Sequence, residues 1–190
     1  GAEIAELIGG PQELSGRWRD YAEKLRAAII ENFWKPEWNR FIRSVRVKTN
    51  SWGEEPAGNK IWLKVNSLGM ARDYSPTDGT PDISLLGLSI PFGVIPACDE
   101  RMASTAEIVE QQLYVNGTGG LMRYEYDSYV GGNPWILTTL WAALYHIELK
   151  NFDKAREYLW WAVRGATEQG LLPEQVDKLT GKPAWVFALT

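Results

Sequence analysis

Apolar residues fall at Leu14, Trp18, Tyr21, Leu25, Ala28 and Ile29. The steps alternate between four and three, so residues 12–33 predict an amphipathic helix. Gly1 to Ile8 reads as the tail of an earlier helix, with no capping residue ahead of it. The pattern changes over 41–65, where "RFIRSVRVK" and "KIWLKV" carry β-branched alternation around a turn-rich stretch with Gly53, Pro56 and Gly58. A short β-hairpin or extended insertion is expected there. The segment "YSPTDGTPD" at 74–82 has loop composition, and Asp82 suits the N-cap of the following "ISLLGLSI". Another helix is expected at about 100–114.

Two helices near the C-terminus are written most clearly. In "GGNPWILTTLWAALYHIELK", Asn133 is placed to cap, Pro134 to occupy the first helical position, and the body is apolar nearly all round. Such a helix is buried on most sides. In "NFDKAREYLWWAVRGATEQG", Asn151 is the expected cap and Gly170 the stop. Phe152, Ala155, Leu159, Ala162, Val163 and Ala166 share one side of it. An all-apolar helix followed at once by an amphipathic one suggests the inner and outer helices of an α/α toroid, whose end loops build a site. No short repeat period is present, which disfavours a regular solenoid. "KPAWVFALT" at 182–190 reads as the beginning of a helix, and an uncapped start with an unfinished end suggests a fragment.

Composition narrows the functional classes. At 190 residues the chain is long enough for one domain with a real core. Net charge is −4 with both signs mixed and no basic patch, which argues against nucleic acid as a partner. No run is long enough to span a membrane. The single cysteine, Cys98, excludes an internal disulfide framework; it lies in an apolar stretch and is expected to be a small core residue. With one histidine, His146, neither a multi-histidine metal site nor a histidine triad can form within the chain. Ten Trp, eight Tyr and five Phe suit a large core, and also a surface on which sugar rings stack.

Two polar constellations could carry chemistry. "RYEYDSYVGGNPW" at 123–135 alternates Arg123, Glu125 and Asp127 with Tyr124, Tyr126 and Tyr129, and its glycine pair permits a tight turn. Charged groups interleaved with aromatics suit a polyhydroxylated ligand. The same residues also fit a plain loop whose carboxylates pair with Arg123 and favour a helix N-terminus. In "GLLPEQVD" at 170–177, Leu171 and Leu172 can anchor the chain and Pro173 fixes the backbone before Glu174. A carboxylate held beside an amide can activate water, while a solvated loop glutamate is the ordinary alternative.

Together, "RYEYDSYVGGNPWILTTLWAALYHIE", "GLLPEQVDKLTGKPAWVFALT" and the earlier "PDISLLGLSIPFGVIPACDERMASTAEIVEQQL" resemble the C-terminal part of glycoside hydrolase family 15, which includes glucoamylases and glucodextranases. The resemblance covers most of 80–190 and, more loosely, 1–48. It implies an all-α fold: a partial (α/α)6 barrel with about half of its helices, forming a single incomplete catalytic domain with the β-hairpin inserted. It implies inverting release of glucose from α-glucans, no cofactor or metal, and the remainder of the barrel as a structural partner. Trehalase-type or dextran-type action on a small α-glucoside, or a non-catalytic regulatory barrel, are the alternatives. By the same resemblance Glu174 is the general base, and Arg123, Tyr124, Asp127, Trp135 and Gln175 contact substrate. The family's general acid has no equivalent in the chain, because Glu54 and Glu55 fall in the hairpin region. The isolated chain is therefore expected to be inactive and to expose apolar surface.

Overall fold

The computed structural model of the protein describes residues 1–48, 60–65 and 68–184. Glu54 and Glu55 lie outside the described residues. Helix α1 (Ala2–Leu7) and helix α2 (Gln12–Phe33) lead into a two-stranded sheet of β1 (Trp34–Lys35) and β2 (Arg40–Phe41). Strands β3 (Ser44–Lys48), β4 (Lys60–Val65) and β5 (Leu68–Asp78) form a second sheet in the order β3-β5-β4, antiparallel throughout. A 3₁₀ segment, Ile83–Leu88, precedes helix α3 (Glu100–Leu113), and helices α4 (Ile136–Glu148) and α5 (Phe152–Arg164) pack on each other.

The fold is thus mostly helical, with several elements differing from the sequence expectations. The hairpin joins β4 to β5, with Val65 opposite Leu68, rather than joining 44–48 to 60–65. The expected loop at 74–82 is strand as far as Asp78, because this part of β5 pairs with β3. Asp82 does cap the 3₁₀ segment, its Oδ1 accepting from the Ser84 amide at 2.8 Å. Asn133 and Pro134 do not begin α4. Trp135 is extended, at φ −103° and ψ 141°, and pairs with both Leu121 and Gln175, which holds the chain out of the helix until Ile136. Asn151 caps α5 as expected, accepting from the Lys154 amide, but the helix stops at Gly165, not Gly170. Gly165 packs so closely that a Cβ there would lie 2.7 Å from Val176 Cγ2. Residues 182–184 do not open a helix: Pro183 pairs with Val176, and Ala184 donates its amide to the Gln175 carbonyl. Residues 185–190 lie outside the described part.

One core cluster gathers Leu86, Met102, Val109, Leu113, Leu121 and Tyr145 from the 3₁₀ segment, α3, the segment between α3 and α4, and α4, all buried. Each such aliphatic side chain contributes about 1.5–3 kcal/mol by leaving water. A second cluster, Ile136, Trp161, Ala162 and Val176, ties α4 and α5 to the 175–176 segment. The apolar stripe of α2 is not core: Trp18, Tyr21 and Leu25 are exposed. Leu137, Leu144 and Ile147 on α4, and Phe152, Leu159 and Val163 on α5, are exposed as well. Cys98 is exposed rather than buried, since it sits in the turn just before α3. No helix among the described residues is long and apolar enough to cross a membrane.

Candidate functional site

At the start of α4, short extended segments lie side by side and are joined by single bridges. Tyr114 pairs with Leu121, Leu121 with Trp135, and Trp135 with Gln175. The Trp135 amide donates to the Leu121 carbonyl at 2.9 Å, Ile136 to Glu174 at 3.1 Å, and Val176 to Pro134 at 3.0 Å. Thr138 Oγ1 donates to the Leu121 carbonyl and Thr139 Oγ1 to that of Trp135, so the first turn of α4 ties the ladder down. This framework sets Glu174 and Gln175 beside Trp135. Leu172 packs on the second core cluster, whereas the Leu171 side chain is exposed and belongs to neither cluster.

The 123–132 loop is fixed from two sides. The amides of Ile83 and Glu125 donate to the carbonyls of Arg123 and Pro81, which forms the Asp82–Tyr124 bridge. Farther on, Gly132 at φ +73° lies so close to the loop that a Cβ would sit 2.5 Å from the Asp127 carbonyl oxygen. Asn133, instead of capping, spans the turn: it donates Nδ2 to the Val130 carbonyl and accepts the Lys178 amide.

Within this loop Arg123 is the hub. Its Nη2 donates to Asp127 Oδ1 at 3.2 Å and to the Tyr124 hydroxyl at 3.3 Å. Its guanidinium lies 4.8 Å from the Tyr124 ring centroid, 5.8 Å from Tyr129 and 4.7 Å from Trp135. The Tyr129 and Trp135 rings are themselves 5.7 Å apart. Burial works against the charge of Arg123, but Asp127 and Tyr124 outweigh it and hold its pKa above the usual guanidinium value. Asp127 is fully buried in its side chain and also accepts the Tyr129 amide at 3.0 Å. Tyr126, at φ +63°, is 85% exposed and stands apart from the cluster.

The structure therefore brings Arg123, Tyr124, Asp127, Trp135 and Gln175 into one contiguous group with Glu174 at its edge. Four of these residues hold buried polar atoms with no partner among the described residues: Arg123 Nε, Asp127 Oδ2, Trp135 Nε1, and both amide atoms of Gln175. Glu174 is half-buried, and its carboxylate has no partner among the described residues. Sequence reasoning passed over Arg43, whose Nη1 meets Asp82 Oδ2 at 2.9 Å and whose guanidinium lies 5.2 Å from the Tyr124 ring. No local pattern links positions so far apart. A groove of about 470 Å³ bordered by Trp161, Arg164, Val176 and Lys178 touches the same segment but includes neither Glu174 nor Arg123. Among the described residues, no group of three or more His, Cys, Asp or Glu could hold a metal ion.

Comparison with known proteins gives this arrangement a context. The sequence model described as Glycosyl hydrolases family 15 matches residues 1–165, which include Arg123, Tyr124, Asp127 and Trp135 but not Glu174 or Gln175. The chain is 40% identical over 126 residues to an uncharacterized glycosyl hydrolase of Methanocaldococcus jannaschii, covering 60% of this chain and 20% of that protein. It is 36% identical over 100 residues to trehalase 2 of Sulfolobus acidocaldarius, covering 52% and 17% of the two. Identity is 34% over 95 residues to the isomaltose glucohydrolase of Kribbella flavida, covering 50% and 24%. The chain thus spans about a fifth of the length of these curated relatives. It superposes on a bacterial glucoamylase complexed with acarbose with a TM-score of 0.68 at 24% identity, covering 96% of this chain and 28% of that one. For the glucoamylase of Hypocrea jecorina the TM-score is 0.59 at 17% identity, covering 100% and 37%. These superpositions bear on the fold.

Proposed function

The chain belongs to glycosyl hydrolases family 15, and on that premise we propose that it supplies the water-activating half of a site that releases terminal glucose from α-glucans with inversion. The fold proposed with it is part of an (α/α)6 barrel in a single catalytic domain. The observation that carries the reading is the run of buried polar atoms on Arg123, Asp127, Trp135 and Gln175, beside the Glu174 carboxylate, all without partners among the described residues. Buried polar groups without partners cost about 1–3 kcal/mol each, so a cluster of them on adjoining residues calls for a ligand rich in hydroxyls. A sugar meets the need: its hydroxyls can donate to Asp127 Oδ2 and pair with either end of the Gln175 amide, while its C–H faces lie on Trp135 or Tyr129.

In an inverting reaction one carboxyl protonates the leaving oxygen and the opposite carboxylate takes a proton from the attacking water, the two standing roughly 6.5–9.5 Å apart. Glu174 is assigned the second role. The backbone pairing of Glu174 with Ile136 holds its Cα in register with the start of α4, which limits where the carboxylate can reach. Arg123, kept charged by Asp127, is placed to hold sugar hydroxyls as positive charge develops at the anomeric carbon. No cofactor enters this scheme.

Glu174→Gln in the full-length protein tests it. The amide keeps the shape and removes the basicity, so turnover should fall about 10²–10⁴-fold with folding and substrate binding retained. Near-normal turnover would remove Glu174 from the mechanism. Proton NMR of the first product gives the stereochemistry: β-glucose from an α-linked substrate is expected, and α-glucose refutes inversion. A second reading, action on a short α-glucoside, is favoured by the relatives named trehalase and isomaltose glucohydrolase. Comparing kcat/KM on trehalose, isomaltose and malto-oligosaccharides decides between the two.

A further inference from the structure

Arg43 and Asp82 lie outside the six residues assigned to the site, yet Arg43 reaches the Tyr124 ring and Asp82 pairs with the Tyr124 backbone. Asp82 is buried, and its two oxygens are divided: Oδ1 accepts the Ser84 amide at 2.8 Å and Oδ2 accepts Arg43 Nη1 at 2.9 Å. The backbone of Asp82 pairs with that of Tyr124. One residue therefore fixes the main chain of Tyr124 and also holds a guanidinium over its ring, with Arg43 Cζ 5.2 Å from the centroid. Arg123 Cζ lies 4.8 Å from the same centroid, and Arg123 Nη2 donates to the hydroxyl of that ring. Two guanidiniums near one ring would repel each other if bare. Here each has its own carboxylate, Asp82 for Arg43 and Asp127 for Arg123. With both charges matched locally, the shared Tyr124 ring is the contact that links Arg43 to Arg123.

Building on the sugar-binding role given to Arg123, we infer that Arg43 and Asp82 are positioning residues: they hold the Tyr124 ring and, through it, the direction of the Arg123 guanidinium. Planarity is the property in use. A flat guanidinium can lie on a ring while donating sideways to a carboxylate, which an ammonium cannot do.

The test is a double-mutant cycle on the full-length protein, with kcat and KM measured separately on a malto-oligosaccharide and on trehalose. Arg43→Ala should lower kcat/KM about tenfold, as misplacement of a binding group does. The loss should divide between kcat and KM in the same proportion as for Arg123→Ala. In the Arg123→Ala background, Arg43→Ala should change kcat/KM less than about twofold, because there is nothing left to aim. Arg43→Lys, which keeps the charge beside Asp82 without the plane, should lose about as much as alanine. Asp82→Asn keeps an oxygen for the Ser84 amide and should show the same division of the loss even if Arg43→Ala folds poorly. Additive losses in the cycle, or full activity with Arg43→Lys, overturn the inference. Native kinetics in Arg43→Ala overturn it alone, while native kinetics in Arg123→Ala overturn the sugar-binding role and the inference together.

Discussion

Asp127→Ala and Asp127→Asn remove different parts of one site. The Asp127 side chain is fully buried, and its Oδ1 accepts from the Tyr129 amide at 3.0 Å and from Arg123 Nη2 at 3.2 Å. Alanine leaves both donors without that acceptor. The stranded Tyr129 amide costs about 1–3 kcal/mol if no water replaces the oxygen. Arg123 has a side chain 39% exposed and recovers part of its loss from solvent, so its share is about 1 kcal/mol or less. Alanine also deletes Oδ2, which has no partner among the described residues, and that offsets part of the sum. A net loss of about 2 kcal/mol is expected. Asparagine keeps an oxygen for the Tyr129 amide and exchanges the unpartnered Oδ2 for an amide nitrogen, so its cost should be about 1 kcal/mol, less than that of alanine.

Turnover should not follow that order. Both variants leave Arg123 without the carboxylate that aims it, so both should lower kcat/KM by about 10–100-fold. Urea unfolding of the full-length protein gives the first quantity and initial rates of glucose release the second. Equal destabilisation by asparagine and alanine would refute the expected order of stability, since the Tyr129 amide would then not depend on the retained oxygen. Native turnover in the asparagine variant would refute the expected loss of activity, because the charge would then have no part in placing Arg123.

Gly132→Ala should destabilise by more than about 2 kcal/mol and also lower activity, since φ is +73° and the new Cβ would lie 2.5 Å from the Asp127 carbonyl. Gly131→Ala, at φ +85° with nothing within 4 Å, should cost only the backbone strain of about 1–2 kcal/mol; equal losses at the two positions would discount the contact with Asp127. Hydrogen bonds from the Thr180 amide and hydroxyl hold the Asp177 carboxyl below its ordinary value of 3.8. Its stabilising effect on the 177–180 turn is therefore present above 3.8 and is lost as pH falls through the lower folded value; faster acid-side exchange of the Thr180 amide, abolished as a pH effect in Asp177→Ala, is the expected result. Burial, and then the Glu110 charge, push Tyr145 up to about 12, and burial and Glu110 push Tyr158 up as well. The fold favours the neutral phenols, so their contribution is complete below the ordinary value of 10 and is lost as pH rises through about 12 for Tyr145. An absorbance titration in which Tyr145 and Tyr158 ionise at the ordinary phenol value of 10 would contradict their burial.

The helices α2, α3 and α5 were legible because spacing and caps are local: Asn151 and the 3.6-residue rhythm need no knowledge of distant residues. The start of α4 was not. Asn133 and Pro134 carry the composition of a cap and a first position, yet the pairing of Trp135 with Gln175, forty residues away, outweighs that preference. Single bridges leave no periodic trace, so the ladder through Tyr114, Leu121, Trp135 and Gln175 could not be read from the pattern. The apolar stripe of α2 correctly marked a helix, while its burial was a separate matter that periodicity does not decide. The sequence marked Arg123, Tyr124, Asp127 and Glu174 as two loops with suitable chemistry. That Gln175 lies against Trp135, and that Arg43 reaches Tyr124, are consequences of topology.

The ladder also explains how the cluster can keep so many unsatisfied side-chain atoms. Around it the main chain is paired at nearly every step: Leu121 with Trp135, Ile136 with Glu174, Val176 with Pro134, and Ala184 with Gln175. Those bonds, with the cluster of Ile136, Trp161 and Val176 beneath them, fix the positions of the Cα atoms. With the Cα atoms held, Trp135 and Gln175 stay in the interior, where Trp135 Nε1 and both amide atoms of Gln175 are buried without partners among the described residues. Unpaired donors and acceptors held in fixed places are what electrostatic preorganisation requires, because they need no rearrangement when a ligand arrives. Glu174 differs in being held by its main chain, through the Ile136 amide, with no partner for its carboxylate among the described residues. A group meant only to bind sugar would gain from the same lateral fixing as Gln175. One that must meet a water, accept its proton and later release it gains from an anchored Cα and an open carboxylate, and Glu174 has both.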